Sequence, residues 1–144
     1  MHLVGDCSSG NIYYLDQTNY TENGNPIERL LISPVFHLDS RRNTVSNLEV
    51  EMEPGQGTAS GQGEYPKIEL SVSRDGGFLY GNWLSRPIGM QGQYKLPIIW
   101  GRLGSAKSIV FRLRLTDPVK AVILSARADI FLEDIGFVPP TSGA

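Results

Sequence analysis

Chain-breaking residues are spread along the whole of this sequence, and they leave little room for a long helix. Glycine contributes 16 residues and proline 9, together 25 of the 144. Short apolar segments lie between them, separated by turn signals about every 8–12 residues, a spacing typical of β-sandwiches and barrels. The alanine-containing stretch 120–132 is the one place where a helix is an alternative. The distribution of glycine and proline therefore favours an all-β fold.

Three segments alternate between apolar and polar residues with a period of two, which is the pattern of a half-buried strand. These are 48–53, 68–73 and 109–115, and in the first of them three glutamates occupy the polar face. We predict an antiparallel β-sandwich, jelly-roll-like, of about seven or eight strands. Its predicted core contains the apolar members of the three segments: Leu48, Val50, Met52, Ile68, Leu70, Val72, Phe111, Leu113 and Leu115.

The connections also carry predictions. We expect 44–53 and 65–73 to pair as antiparallel neighbours, joined by the glycine-rich segment 54–63, whose composition indicates a mobile connection. Asp75 and Gly76 predict a hairpin turn, and 101–106 also reads as a turn. Pro34 predicts that 27–36 is an edge strand or is divided into two pieces.

Length and composition limit the classes of protein that this chain can belong to. The length corresponds to one domain, 1–144, with 1–9 and 136–144 as flexible or terminal segments. Thirteen basic and fifteen acidic residues give a net charge of -2, which excludes a strongly basic nucleic-acid binder. One cysteine, Cys7, excludes an intrachain disulfide framework. No apolar run approaches the ~18 residues of a membrane helix, and no signal peptide is visible, so we expect synthesis in a reducing cytoplasm.

No set of residues in the sequence has the composition and spacing of a catalytic or metal site. His2 and His37 have no cysteine, histidine or carboxylate at metal-ligand spacing. Cys7 lacks the partners of a nucleophile, and no Gly-x-Ser-x-Gly elbow occurs. We therefore predict that the protein is not an enzyme and has no catalytic residues, no metal and no cofactor.

The glutamates of the first alternating segment admit two interpretations. Among Glu49, Glu51 and Glu53, two carboxylates could serve as the acid and nucleophile of a glycosidase. The simpler interpretation is a solvated outer face that lies opposite basic residues such as Arg112 and Arg114. We prefer the second.

Arginine supplies nine of the thirteen basic residues, and its planar guanidinium suits contacts with carboxylates and phosphates. Arg41, Arg42 and Arg102 are the predicted protein-interface residues. The two tryptophans and six tyrosines could stack on sugars, so a carbohydrate-binding β-sandwich module is the alternative function.

Several stretches, in their order and spacing, resemble the C-terminal part of the packaged-DNA stabilisation proteins of short-tailed bacteriophages, also called tail accessory or tail hub proteins. The stretches are 5–6, 10–16, 24–29, 41–42, 73–77, 94–95, 100–104 and 110–118. The resemblance covers most of 5–130. Members of that family are much longer, so the chain would be an excised C-terminal domain or a short prophage homologue.

The resemblance implies a structural component of the virion tail, made in the host bacterial cytoplasm. In that family the protein assembles below the portal, closes the channel after packaging and attaches tail parts. The implied partners are the portal and other tail proteins, with a possible homo-oligomer in the full-length context, and neither a membrane nor sequence-specific nucleic acid. A rigid β scaffold without an active site is consistent with such a role.

Overall fold

The computed structural model describes residues 2–37 and 41–133, and in this part of the chain every regular element is a β-strand. In chain order the strands are β1 (His2–Gly5), β2 (Ile12–Leu15), β3 (Thr21–Glu22), β4 (Asn25–Pro26), β5 (Arg29–Ile32), β6 (Asn43–Met52), β7 (Lys67–Ser73), β8 (Leu84–Pro87), β9 (Ile98–Ala106), β10 (Val110–Leu115) and β11 (Ile123–Leu132). Over the same residues no helix exists that could cross a membrane. The predicted end segment 136–144 lies outside the described residues.

Two antiparallel sheets form the body of the domain. One has four strands in the order β5-β10-β7-β8, and the other has three in the order β11-β6-β9. Two small hairpins, β1–β2 and β3–β4, complete the described chain. Seven strands thus form the two main sheets, and the predicted antiparallel β-sandwich is confirmed.

The hydrophobic core lies between the two sheets. All nine predicted core residues are buried, none with more than 7% of its surface exposed. The alternation placed them correctly because successive side chains of a strand point to opposite faces. Trp100 and Ile98 of β9, Ile88 and Leu103 join them in the same cluster.

The predicted pairing of 44–53 with 65–73 is wrong. β6 pairs with β9 and β11, whereas β7 pairs with β10 and β8. Segment 53–66 carries the chain from one sheet to the other, so β6 and β7 lie on opposite sides of the core. Alternation identifies a strand and its buried face, but it contains no information on which strand lies beside it.

The glycine-rich segment 54–63 packs closely at some of its glycines, whereas residues 58–62 are exposed. The backbone N–H of Thr58 donates to the carbonyl of Gly63 at 2.8 Å, and Gly63 is buried. A Cβ atom at Gly57 would lie 2.9 Å from the backbone nitrogen of Gln91. At Gly57 and Gly63 the absence of a side chain permits this close approach. The mobility of the segment stays a prediction.

The predicted turn at 101–106 is also wrong, because β9 continues through it to Ala106. The β6–β9 register shifts between Val45 and Asn47, which marks a bulge. Within this stretch Arg102 and Gly104 have φ of 58° and 87°. Positive φ values occur in turns and in bulges, so the sequence did not distinguish the two.

Residues 123–132 form β11. The helix considered as an alternative for 120–132 is therefore not present.

Pro34 has both of the predicted effects on the segment 27–36. β5 is an edge strand that ends at Ile32, and among the described residues it pairs with β10 alone. After Pro34 the chain makes one further bridge, between Phe36 and Ile109, with backbone hydrogen bonds of 2.8 and 3.0 Å. The proline therefore divides the segment and also places its first piece at the sheet edge.

Candidate interaction surface

One long side of the sandwich is closed by hydrogen bonds between its sheets. On that side Arg86, in β8, donates through Nε to the carbonyl of Ile99 in β9 at 2.9 Å. In the part of the chain that the structure describes, the opposite side is open between the edge strands β5 and β11. A groove of about 210 Å³ lies there, and its apolar lining includes Leu30, Leu31, Leu113, Leu115, Ala121 and Ile123.

β5 has an unusually apolar exposed edge. Leu30, Leu31 and Ile32 are exposed by 51%, 50% and 53%. Edge strands are normally protected against pairing with other chains by charges, prolines or bulges. The first residue of β5, Arg29, does not give that protection because its guanidinium is directed back into the domain.

Arg29 fixes the start of β5 to the segment that follows β10. Its Nη1 donates to the carbonyl of Val119 at 2.6 Å, and its Nη2 donates to the carbonyl of Asp117 at 2.5 Å. Burial lowers the pKa of the Arg29 guanidinium from its usual value, against the raising effect of Tyr20 and Asp117. Because the Arg29 guanidinium binds carbonyl groups within the domain, it places no charge on the outer edge of β5.

A second apolar feature is the loop tip formed by Phe78 and Leu79, which are 87% and 76% exposed. The carboxylate of Asp75 accepts hydrogen bonds from both backbone N–H groups at 3.0 Å. The hydroxyl of Ser73 donates to Asp75 at 2.6 Å and accepts from the N–H of Gly77 at 2.9 Å. The hydrogen bonds that Asp75 accepts lower its pKa, and the bond from Ser73 has the largest effect. The loop thus presents two exposed apolar side chains from an internally hydrogen-bonded frame.

The outer face of the four-stranded sheet carries stacked cations and aromatic rings. The guanidinium carbon of Arg112 lies 3.9 Å from the ring centroid of Tyr80 and 4.6 Å from that of Trp83. Arg114 lies 4.1 Å from the same tryptophan ring and forms an ion pair with Glu69 at 2.7 Å. Arginines 112 and 114 therefore interact within their own sheet.

The predicted arrangement in which these two arginines lie opposite the glutamates of β6 is wrong, because the two groups belong to different sheets. Glu53 pairs instead with Lys120 at 2.7 Å, and the carboxylate of Glu49 lies 4.0 Å from Arg127. Glu51 accepts a hydrogen bond from the hydroxyl of Ser125 at 3.0 Å. The face is solvated, as expected, but other residues provide its partners.

The structure brings two of the three predicted interface arginines to one strand pair. Arg42 directly precedes β6 and donates through Nε to the hydroxyl of Ser105, in β9, at 2.9 Å. Arg102 is exposed in the bulge of β9, and Arg41 is exposed immediately before Arg42. Their role in protein contacts stays a prediction.

Two parts of this surface were missed at the level of sequence. The run Leu30-Leu31-Ile32 indicated a strand, and the following Pro34 indicated an edge, so together they contained a signal for an exposed apolar edge. The exposure of Phe78 and Leu79 depends on the hydrogen bonds of Asp75, which the sequence pattern does not reveal.

A protein-family model described as Bacteriophage P22 Gp10, beta-sandwich, matches residues 28–131, more than two thirds of the chain. The chain belongs to this family. The P22 Gp10 match begins directly before β5 and ends one residue before the end of β11, so it spans both main sheets. The hairpins β1–β2 and β3–β4 lie outside it. A search of curated proteins gives no match.

Membership of the P22 Gp10 family confirms the predicted phage origin of the fold at the level of a bacteriophage β-sandwich family. The predicted roles in DNA stabilisation and portal closure are more specific than this match, and they stay predictions.

Proposed function

We propose that this chain is a structural module of a phage or prophage virion tail, and that it acts through protein–protein contacts. The observation that carries the proposal is the apolar edge of β5, which no other strand of the described residues covers and which has three consecutive half-exposed aliphatic side chains. Membership of the P22 Gp10 family supports the assignment to a phage structural protein.

The edge of β5 suits the addition of a strand from a neighbouring protein. A partner strand would pair with the outward backbone N–H and C=O groups and cover the aliphatic side chains at the same time. Phe78 and Leu79 provide a second apolar contact. The hydrogen bonds that Asp75 accepts from their backbone N–H groups hold the loop, so binding costs little backbone entropy there. Arg41, Arg42 and Arg102 would form a polar contact on the other sheet.

The specific role that we propose is that of a tail accessory or hub module. In that role the chain helps to close the portal channel, stabilises packaged DNA and attaches tail parts. Its partners would be the portal and other tail proteins, with self-association in a longer chain. The sequence resemblance supports this more specific role.

We also propose that the module performs no catalysis. Incubation of the protein with neutral oligosaccharides should release no reducing ends. Hydrolysis that disappears in Glu49→Gln, Glu51→Gln or Glu53→Gln would contradict this and would favour a glycosidase.

The substitution Ile32→Glu tests the role of the β5 edge. Ile32 is paired with Arg112 of β10, so the new carboxylate lies beside a cation that faces the same side of the sheet. The isolated domain should therefore fold, while a charge on the edge opposes addition of an apolar strand.

The readout is the amount of the protein in purified phage particles, together with the DNA that they retain. We expect Ile32→Glu to reduce both, while Ile12→Glu in β2, an exposed position outside the family match, leaves them unchanged. Normal incorporation of a folded Ile32→Glu protein would remove the β5 edge from the proposal.

A further inference from the structure

The outer face of the three-stranded sheet carries a separate groove of about 530 Å³. Strands β6 and β11 form its floor, and the segment 94–98, which leads into β9, forms one wall. The side chains that matter for its chemistry are Glu49, Glu51, Tyr94, Lys95, Ser125 and Arg127. The family match, which describes a fold, assigns no role to this groove.

Tyr94 is the aromatic element of the groove, and the backbone supports its ring. Gly55 has a φ of 74° and lies against the ring so closely that a Cβ atom there would be 2.6 Å from Cε1 of Tyr94. The same tyrosine is 68% exposed. A ring that is fixed on one side and open to solvent elsewhere can stack on a ligand with little loss of side-chain entropy.

The charged groups of the groove are balanced. Two carboxylates, from Glu49 and Glu51, are accompanied by two cations, from Lys95 and Arg127. Arg127 Nη1 lies 4.0 Å from the Glu49 carboxylate, which is longer than a hydrogen bond, and both side chains are exposed. Acceptors and donors are thus both accessible to a ligand.

This balance discriminates between classes of ligand. A strongly cationic or anionic ligand would meet as many like charges as opposite ones. A neutral ligand meets no like charge. If it is rich in hydroxyl groups, each hydroxyl can donate to a carboxylate and accept from a guanidinium or ammonium group. The apolar face of a sugar ring also suits the open face of Tyr94.

We propose that this groove binds a neutral oligosaccharide, with one sugar ring stacked on Tyr94 and its hydroxyl groups hydrogen-bonded to Glu49, Glu51 and Arg127. The groove and the β5 edge lie on different sheets, so glycan binding is independent of the contact proposed for that edge. Binding changes no covalent bond, and the two carboxylates act as hydrogen-bond acceptors.

The test is isothermal titration calorimetry of the whole 144-residue protein with neutral hexasaccharides of glucose, mannose, galactose and N-acetylglucosamine. We expect at least one of them to bind. Tyr94→Ala should weaken that affinity by about tenfold or more, whereas Tyr94→Phe, which keeps the ring, should retain it. Glu51→Gln should also weaken binding, because the amide replaces a charged acceptor.

Tyr65→Ala is the matched control, because Tyr65 is exposed to a similar extent, 62%, and does not line the groove. Thermal unfolding should show that all four variants are folded. The proposal is overturned if none of the hexasaccharides binds, if Tyr94→Ala leaves binding unchanged, or if Tyr65→Ala weakens it as much. Binding of a hexalysine peptide alone would assign the groove to a cationic protein segment instead.

Discussion

The indole nitrogen of Trp100 donates a hydrogen bond to the carbonyl oxygen of Leu84 at 2.8 Å. Trp100 belongs to β9 of the three-stranded sheet, and Leu84 begins β8 of the four-stranded sheet. The ring itself is almost fully buried, with 1% of the residue exposed. One side chain therefore fills the core and also joins the two sheets along their closed side.

The substitution Trp100→Phe should destabilise the domain by about 1–3 kcal/mol. Phenylalanine leaves the core apolar, but it removes the donor and leaves the carbonyl of Leu84 without its partner. The free energy of unfolding from urea titration gives the measurement. A loss below about 0.5 kcal/mol would mean that water replaces the indole N–H at no cost.

Phe111→Ala should destabilise the domain by roughly 3–5 kcal/mol, the range typical of a truncated core phenylalanine. Phe111 is 4% exposed, and its ring centroid lies 5.6 Å from that of Phe36. Phe131→Ala is the control, since that residue is 61% exposed and should change stability little. Equal losses in the two variants, measured in urea, would contradict the assignment of Phe111 to the core.

Asp75 predicts a dependence of stability on acid pH. Its pKa in the folded state is lowered from 3.8, first by the hydrogen bond from Ser73 and then by those from Leu79 and Phe78. A lowered folded-state pKa means that the stabilisation is present above the unfolded pKa, and it is lost as the pH falls from about 4 through the folded value. The wild-type protein should therefore lose its stability advantage over Asp75→Asn across this window.

Urea titrations of both proteins at several pH values below 5 provide the measurement. An advantage over Asp75→Asn that stays constant down to pH 2 would contradict the role of the charged carboxylate. Proteolysis of the loop offers a second readout, because the variant should be cleaved near Phe78 faster at neutral pH.

Combined replacement of Arg41, Arg42 and Arg102 by alanine should give particles that leak DNA or lack tails. The domain should still fold, because all three side chains are exposed and the ion pair of Arg42 with Glu133, at 3.7 Å, joins two solvated groups. Lys107→Ala is the control for loss of an exposed cation. Infectious particles in normal yield from the triple variant would remove these arginines from the interface.

The sequence predicted the strands and their faces well because that information is local. In 48–53 the alternation of leucine, valine and methionine with glutamate already determines which side chains are buried. The neighbours of β6 could not be predicted, because β9 and β11 lie far along the chain and many pairings satisfy the same alternation.

The surface features were harder to predict for a related reason. A bulge at Arg102 and Gly104 has the same local residues as a turn, and only the continuation of pairing to Ala106 distinguishes them. The Tyr94 groove depends on Gly55, which is 39 positions away in sequence. Leu31 is exposed because no strand within 2–37 and 41–133 lies beyond β5. Each of these is a property of tertiary packing.

The pairing of β5 with β10 has a mechanical consequence. Four consecutive residue pairs join the two strands, and in an antiparallel ladder the hydrogen bonds run perpendicular to the strands. A pull along β5 loads these bonds in shear and distributes the force over all of them, and the bonds from Arg29 to Val119 and Asp117 add resistance at one end. A pull at right angles to β5 would open the bonds one after another. A neighbour bound along this edge is therefore held most firmly when the tension runs parallel to the strand.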